Sequence, residues 1–380
     1  MTFSFYELLL LIGLTQGTIT SVLLVVTKKN KKSNRILALG LFSLCLLTVK
    51  MLLNSFGVSD SLAFRYIPIA SQLAIPPLMY MYLISLIRPK ARLAWQTIVH
   101  FIPFIIIQFF VVVVFIKVAG AASVTQQDQA AELLMYGPIK LAEDYFTLLS
   151  IAWYLVLGFV ELKSYRRRVN ENVSDSTCPT FSWLLRIFVL SSILGIFLLV
   201  NMLAEMVFSL SDTTFFHWQV YFVYISFIIY YLGFAGYKQP ELSIQPNLPE
   251  PALDDEKDLR KVSDSQFSQI IKALEIEFRD NKAYLNPTLS SLDLARSLNV
   301  SQSALSFAIN KHYKKTFREV INELRVEEVK AKLMQYSVDG HSILSIALDS
   351  GFNSEASFYR IFKKQEGLAP KAYIQKIEAI

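Results

Sequence analysis

The chain has 380 residues, of which 53% are hydrophobic and only 18% are charged, and its net charge is +6. Ordinary soluble domains carry about 25% charged residues, so this composition excludes a single soluble enzyme. The two cysteines lie in unrelated contexts, which excludes a secreted domain stabilised by disulfides. Residues 1–240 hold 18 Lys+Arg and 11 Asp+Glu, whereas residues 241–380 hold 19 and 20. This division predicts a membrane domain over 1–240 followed by a soluble domain.

Seven apolar stretches of the first part are long enough to cross a bilayer. A hydrocarbon core about 30 Å thick requires about 20 helical residues. The third stretch is the least regular, because Pro68, Pro76 and Pro77 are expected to kink it. The first ends in lysines rather than at a small-residue cleavage site, which favours a retained helix over a signal peptide. The predicted spans are residues 5–26, 36–56, 65–87, 97–119, 143–163, 183–208 and 217–237.

Basic residues of this part cluster in the loops that follow the odd-numbered spans. The other loops carry acidic residues instead, including Asp60, Asp128 and Asp212. Because short basic loops stay in the cytoplasm, the pattern predicts an external N-terminus and a cytoplasmic region after Tyr237. In the inner membrane of a bacterium, this topology places the soluble domain in the compartment that contains DNA. The basic loop residues are Lys28, Lys29, Lys31, Lys32, Arg35, Arg88, Lys90, Arg92, Lys163, Arg166, Arg167 and Arg168.

Polar residues inside the spans are candidate ligand-sensing residues, because burying an ionisable group in a membrane is costly. They lie toward the predicted outer ends of spans two, five and six, where they could together bind a small charged or polar ligand from outside. An alternative stays open, in which Lys50 extends to the outer headgroups and the carboxylates remain at the interface. The candidates are Lys50, Glu143, Asp144, Asn201 and Glu205.

The sequence contains no motif for catalysis or for metal binding. It has no glycine-rich phosphate loop, no nucleophile elbow and no His/Cys cluster with metal-ligand spacing. The protein is therefore predicted to be no enzyme and to use no metal and no cofactor.

Residues 241–262 have the composition of an extended linker. Three prolines between positions 246 and 251 exclude a regular helix, and an acidic run follows at 254–256. Helical patterning resumes at Ser263, which forms a predicted capping box with Gln266. No alternating strand pattern follows. The predicted fold class is therefore all-α, with a seven-helix transmembrane bundle and a soluble helical domain over 263–380.

One helical pattern occurs twice in the soluble domain. Each copy has a short helix and then a turn at Asn299 or Gly351, residues that tolerate a positive φ. A second helix follows, for which Ser301 or Asn353 is the N-cap candidate. This order is typical of a helix-turn-helix, whose second helix enters the DNA major groove.

A linking helix is predicted between the two copies. The copies span about residues 288–312 and 342–364, and the linking helix spans 316–336 with Thr316 and Glu319 as its capping box. If the two second helices lie about 34 Å apart, one chain contacts two successive turns of the same groove. One such pattern alone is weak evidence, since helical cores contain similar corners, but two copies with basic ends are more specific.

Side chains of the two second helices are the predicted DNA contacts. Arginine suits guanine, asparagine and glutamine suit adenine, and glutamate accepts from cytosine, whereas lysine contacts phosphate and makes binding depend on salt. The predicted base contacts are Gln302, Ser303, Ser306, Asn310, Ser354, Glu355, Ser357 and Arg360. The predicted phosphate contacts are Lys311, Lys314, Lys315, Lys363 and Lys364. The apolar Leu305, Ile309, Phe352, Phe358 and Phe362 are predicted to be core.

Residues 265–376 resemble the DNA-binding domain of AraC/XylS-type transcriptional regulators. Arg325 also matches that family and is expected to anchor helices internally, whereas Lys315 and Thr316 stand where the family commonly has a glycine. The resemblance implies sequence-specific promoter binding, usually with response to an effector. Membrane spans before such a domain resemble membrane-tethered bacterial regulators. The matching motif is Ile346, Ala347, Gly351, Phe352, Phe358, Arg360, Phe362, Lys363, Lys364, Gly367, Pro370 and Tyr373.

Together these patterns predict a membrane-bound transcription regulator whose partners are double-stranded promoter DNA and membrane lipid. A small-molecule effector and a second copy of the chain are partners that the sequence allows but does not require. Two alternatives remain open. One is a transporter with a regulatory DNA-binding tail, although only the third span looks broken, as transporter helices often are. The other is a tethered transcription factor whose spans sense nothing.

Overall fold

The computed structural model of the chain describes residues 3–28, 30–88, 96–172, 179–208, 215–238, 263–333 and 342–378. These residues form helices and no strands, which confirms the all-α prediction. The chain divides into two compact units, Met1–Leu162 with Thr180–Ser243 and Lys163–Pro179 with Ile244–Ile380. The predicted linker, residues 241–262, lies outside the described residues. We refer to residues 3–238 as the N-terminal region and to residues 263–378 as the C-terminal region.

Apolar helices make up most of the N-terminal region. Among the described residues, five of them contain a stretch long and apolar enough to cross a membrane, namely α1, α2, α7, α8 and α9, while α3 and α5 are shorter. The seven predicted spans thus correspond to five such helices and two shorter apolar ones. The helices are α1 (Phe5–Val26), α2 (Lys31–Ser55), α3 (Ile75–Ile87), α4 (Gln96–Val99), α5 (Ile102–Val118), α6 (Val124–Leu133), α7 (Tyr136–Asn172), α8 (Pro179–Phe208) and α9 (Phe216–Tyr237).

The third predicted span, residues 65–87, differs most from its prediction. Helix α3 begins only at Ile75, after irregular backbone and a short 3-10 turn, with Pro76 and Pro77 in its first turn. A proline there sacrifices no intrahelical hydrogen bond, because the first N–H groups of a helix have no partner within it. The proline pair therefore starts this helix and does not kink it.

The irregular backbone before α3 is held by one side chain of α5. The Gln108 amide nitrogen donates to the Pro68 carbonyl oxygen at 2.7 Å, and its oxygen accepts from the Ala70 N–H at 3.1 Å. Backbone polar groups that are removed from water require such partners, since an unpaired one costs free energy.

Small residues bring α1, α2 and α9 into close contact. A Cβ added to Gly17 would lie 2.3 Å from Ile229 and 2.6 Å from the Cys45 sulfur, and one added to Gly233 would lie 2.5 Å from the Thr20 hydroxyl. Helices in lipid associate mainly through close packing of this kind.

Short helices around one longer helix make up the C-terminal region. Two capping boxes predicted from the sequence are present: Ser263 with Gln266 begins α10, and Thr316 with Glu319 begins α13. The described part of the predicted linking helix is α13; residues 334–336 lie outside the described residues. The helices are α10 (Asp264–Arg279), α11 (Ser291–Ser297), α12 (Gln302–Tyr313), α13 (Phe317–Leu333), α14 (Ile343–Asp349), α15 (Glu355–Glu366) and α16 (Pro370–Glu378).

Helix α13 contributes to two separate hydrophobic cores. Its first turns supply Val320 and Ile321 to a first core with α10, α11 and α12. Its last turns supply Val329 and Leu333 to a second core with α14 and α15. The five side chains predicted to be core, four in these helices and Phe352 in the turn before α15, are all at most 2% exposed.

Candidate functional site

The first helix pair, α11 and α12, has the turn that the sequence predicts. Asn299 adopts a φ of +54° between the two helices. The Ser301 hydroxyl then accepts a hydrogen bond from the Ala304 N–H at 3.2 Å, which makes Ser301 the N-cap of α12. The cap satisfies one backbone donor at the start of the helix predicted to enter the groove.

The second helix pair, α14 and α15, turns at Gly351 with a φ of +90°. Only glycine fits this turn, because an added Cβ would lie 2.6 Å from the Tyr284 carbonyl oxygen and 2.9 Å from Arg325 Nε. Arg325 is 1% exposed and donates from Nε to the Tyr284 carbonyl oxygen at 2.8 Å and from Nη2 to the Asn286 carbonyl oxygen at 2.7 Å. This arginine therefore anchors helices internally, as predicted.

Two expectations for the second pair were wrong. The N-cap of α15 is Ser354, whose hydroxyl accepts from the Ser357 N–H at 3.3 Å, while the Asn353 amide donates to the Pro287 carbonyl oxygen at 3.0 Å. Ser357, a predicted base contact, is only 6% exposed. It lies one helical turn before the buried Ile361 and on the same face, so it points toward the second core.

The other predicted contacts of α15 lie on its surface. Glu355, Arg360, Lys363 and Lys364 are exposed, and Ser354 is half-buried with its hydroxyl used in the cap. Three basic side chains and one acidic side chain therefore face solvent along this helix.

The predicted base contacts of α12 are less exposed than those of α15. The Gln302 amide nitrogen donates to the Ser291 hydroxyl at 2.6 Å and joins α12 to α11. The Ser303 hydroxyl lies 3.1 Å from that of Ser301, Ser306 is half-buried, and Asn310 is exposed.

The three predicted phosphate contacts at the end of α12 differ in their surroundings. The Lys311 ammonium lies 4.5 Å from the centre of the Phe267 ring and 3.9 Å from Asp264, so it contacts α10. Lys315 forms a 2.5 Å salt bridge with Glu323. Lys314 is exposed and ends the helix with a φ of +55°. Lys311 and Lys315 have acidic or aromatic neighbours, so Lys314 is the best placed of the three to contact a DNA phosphate.

Three of the five predicted ligand-sensing residues come together in the N-terminal region. Glu143 is fully buried and pairs with Lys140. Asp144 accepts a hydrogen bond from the Gln72 amide nitrogen at 2.7 Å. Lys50 lies within electrostatic range of Lys140, Glu143 and Asp144. We call Lys50, Lys140, Glu143 and Asp144 the charged cluster; Lys140 and Gln72 were not predicted.

The other two predicted residues belong to a second group on α8 and α9. Glu205 lies 3.7 Å from His217 Nε2. The Asn201 amide nitrogen donates to the Phe197 carbonyl oxygen at 2.7 Å within α8.

Comparisons with known proteins concern the C-terminal region. Residues 294–376 match a family model described as "Helix-turn-helix domain", from within α11 to within α16. Uncharacterised HTH-type transcriptional regulators of Staphylococcus aureus strains MSSA476, N315 and MRSA252 are each 30% identical over 112 residues, or 30% of this chain. The chain spans only 14% of the length of these relatives. No solved structure matches the chain significantly. These similarities support DNA binding and transcription regulation.

Proposed function

We propose that the protein is a membrane-bound transcription regulator that binds promoter DNA through two helix-turn-helix motifs. The motifs are the α11–α12 and α14–α15 pairs, and α12 and α15 are the helices that enter the major groove. One observation carries the proposal: the segment similar to a helix-turn-helix domain covers both pairs except for the first three residues of α11, and each pair has a positive-φ turn and a capped second helix.

The N-terminal region is proposed as a seven-span anchor and signal sensor, with its N-terminus outside and the C-terminal region in the cytoplasm. The apolar helices and the positions of the basic loops support this topology. The charged cluster supports the sensing role, because ionisable residues within membrane spans are costly to bury and therefore indicate a functional site.

The test of DNA binding compares alanine substitutions of Arg360 and Lys363 in the purified full chain. Genome-wide mapping of bound DNA in intact cells supplies the specific site, and fluorescence anisotropy measures affinity. We expect Arg360→Ala to weaken specific binding by about 1–3 kcal/mol with little change on random DNA, because arginine contacts a base edge. We expect Lys363→Ala to weaken both and to reduce the salt slope by about one.

Arg279→Ala is the matched control, since this exposed arginine ends α10 outside both helix pairs. It should leave affinity for both DNAs unchanged. Equal affinities of the Arg360→Ala, Lys363→Ala and Arg279→Ala variants would contradict the proposed interface.

A further inference from the structure

An elongated cavity, which we call the slot, lies among the helices of the N-terminal region. It has a volume of about 140 Å³ and is lined by α2, α3, α7, α8 and α9 and by the turn before α3. It extends along α7 from Asp144 to Gly158 and along α9 from Trp218 to Leu232. Fourteen residues separate each pair, which corresponds to about 21 Å of helix. The slot is partly open at its surface, so its length rather than its enclosed volume limits a ligand, which favours an extended chain over a compact ring system.

The two ends of the slot differ in chemistry. Asp144 and Tyr221 interact electrostatically, so the polar ends of α7 and α9 lie together. The opposite end is apolar: at Gly158 an added Cβ would lie 3.6 Å from Phe188 and 4.0 Å from Leu83. The residues of the polar end are Gln72, Asp144, Thr147, Trp218 and Tyr221, and those of the apolar end are Leu83, Gly158, Ile187, Phe188 and Leu232.

Asp144 is the charged residue among the described residues that line the slot. Its Oδ1 already accepts from Gln72 at 2.7 Å, but a carboxylate has about four lone-pair sites and can accept further donors. Asp144 belongs to the charged cluster, whose two lysines and two carboxylates balance each other. A ligand head with a net charge of either sign would disturb this balance in a medium of low dielectric constant, whereas an uncharged donor would not.

We propose that the slot binds a slender neutral amphiphile, which is a single alkyl chain ending in a hydroxyl or another uncharged hydrogen-bond donor. The head donates to Asp144 at the polar end, and the chain extends toward Gly158. This inference deepens the sensing role in the proposed function and rests on that function for its regulatory meaning. The occupant comes either from the cell's own membrane or from outside the cell.

Photocrosslinking of the full chain in phosphatidylcholine nanodiscs tests this binding without DNA. The probe is hexadecanol that carries a diazirine on its alkyl chain, and peptide mass spectrometry locates the labelled residues. We expect labels on the slot-lining faces of α7 and α9. Unlabelled hexadecanol should compete at a concentration about tenfold lower than hexadecylamine or hexadecanoate. Hexadecanoate has no proton to donate to Asp144, and hexadecylamine adds an unbalanced positive charge. Equal competition by the three compounds would overturn the proposal.

Variants of α7 separate the slot from the lipid-facing surface. Gly158→Leu fills the apolar end and should reduce labelling about tenfold. Val156→Leu is the matched control, because Val156 is exposed on the same helix, and it should leave labelling unchanged. If Gly158→Leu does not accumulate, Gly158→Ala replaces it, since its Cβ makes ordinary contacts and should give a smaller reduction. The proposal fails if labelling responds equally to the substitutions at 158 and 156.

Native mass spectrometry of the purified chain distinguishes the two sources. A neutral lipid that copurifies and is displaced by hexadecanol indicates the cell's own membrane, whereas an empty slot that accepts added hexadecanol indicates an external source. A chain that binds promoter DNA but is not labelled would overturn the proposed ligand of the slot and leave the proposed function standing. A chain that is labelled but binds no DNA would overturn the proposed function alone.

Discussion

Arg325 is the side chain on which both helix pairs depend. It is buried, bonds to two carbonyl oxygens just before the first pair, and lies beside the turn of the second. We expect Arg325→Ala to destabilise the C-terminal region by about 3 kcal/mol, because one buried and one partly buried carbonyl oxygen lose their donors. Hydrogen–deuterium exchange of α13 and α15 amides in the full chain measures this loss. Arg296→Ala, at an exposed arginine of α11, is the control and should leave exchange unchanged.

Two glycines of the C-terminal region separate the cost of backbone strain from that of a steric clash. Gly351 and Gly367 both have positive φ, but only Gly351 has atoms within 4 Å of an added Cβ. Gly367→Ala should therefore cost about 1 kcal/mol, from conformational strain. Gly351→Ala should cost at least about 1 kcal/mol more, since a neighbour must shift. The measurement is amide exchange of α15 in the full chain, and equal effects would contradict the clash.

Individual residues were predictable where local backbone chemistry decides their role. The turn at Asn299 and the cap at Ser301 follow from side chains that suit a positive φ and an orphan N–H. Asn353 and Ser354 can both cap a helix. The Asn353 amide bonds instead to the distant Pro287 carbonyl oxygen, and Ser354 is the cap, which the local sequence does not reveal. Lys140 could have been found from its i,i+3 spacing to Glu143, but Gln72 could not, because 72 residues separate it from its partner Asp144.

At the scale of elements, the start of α13 should respond to pH. A hydrogen bond from the Thr316 N–H holds the pKa of Glu319 below its ordinary value of 4.5. A carboxyl whose pKa is lowered by folding stabilises the folded state above its unfolded pKa and loses this contribution as pH falls. We therefore expect protection of the first amides of α13 to decrease below about pH 4.5.

Glu319→Gln tests the origin of this pH response. The amide oxygen can still accept from Thr316, but it does not titrate, so protection should become independent of pH between about 5.5 and 3.5, or about one unit either side of the ordinary carboxyl pKa. Glu327→Gln, at an exposed position of the same helix, should retain the wild-type response. A response that persists in Glu319→Gln would assign it to another group.

Helix positions in the N-terminal region were predictable because an apolar stretch of about 20 residues is much longer than a strand and therefore indicates a helix. Helix ends were less predictable. Helix α7 has 37 residues, or about 55 Å, and continues at both ends past its predicted span, since helical hydrogen bonding does not stop where apolar residues stop. The late start of α3 depended on Gln108 of another helix, which no local pattern of residues 65–87 reveals.

For the whole molecule, the loop charges predict which ends face the cytoplasm. In a chain with both cysteines replaced by alanine, we expect Ser61→Cys to react with a membrane-impermeant maleimide in intact cells. Ser268→Cys should react only after the cells are permeabilised. Both serines are exposed, so access to the reagent rather than burial decides the outcome. Labelling of Ser268→Cys in intact cells, with Ser61→Cys reacting only after permeabilisation, would contradict the proposed topology.

The double role of α13 has a consequence for the DNA itself. Because one helix supplies side chains to both cores, the two proposed motifs have no flexible joint between them along α13. An operator for this protein would therefore tolerate base substitutions better than insertions. One added base pair rotates a half-site by about a tenth of a helical turn around the duplex axis, and the chain has no hinge there to follow it. Spacing, as well as base identity, would then distinguish true operators from chance matches in a genome.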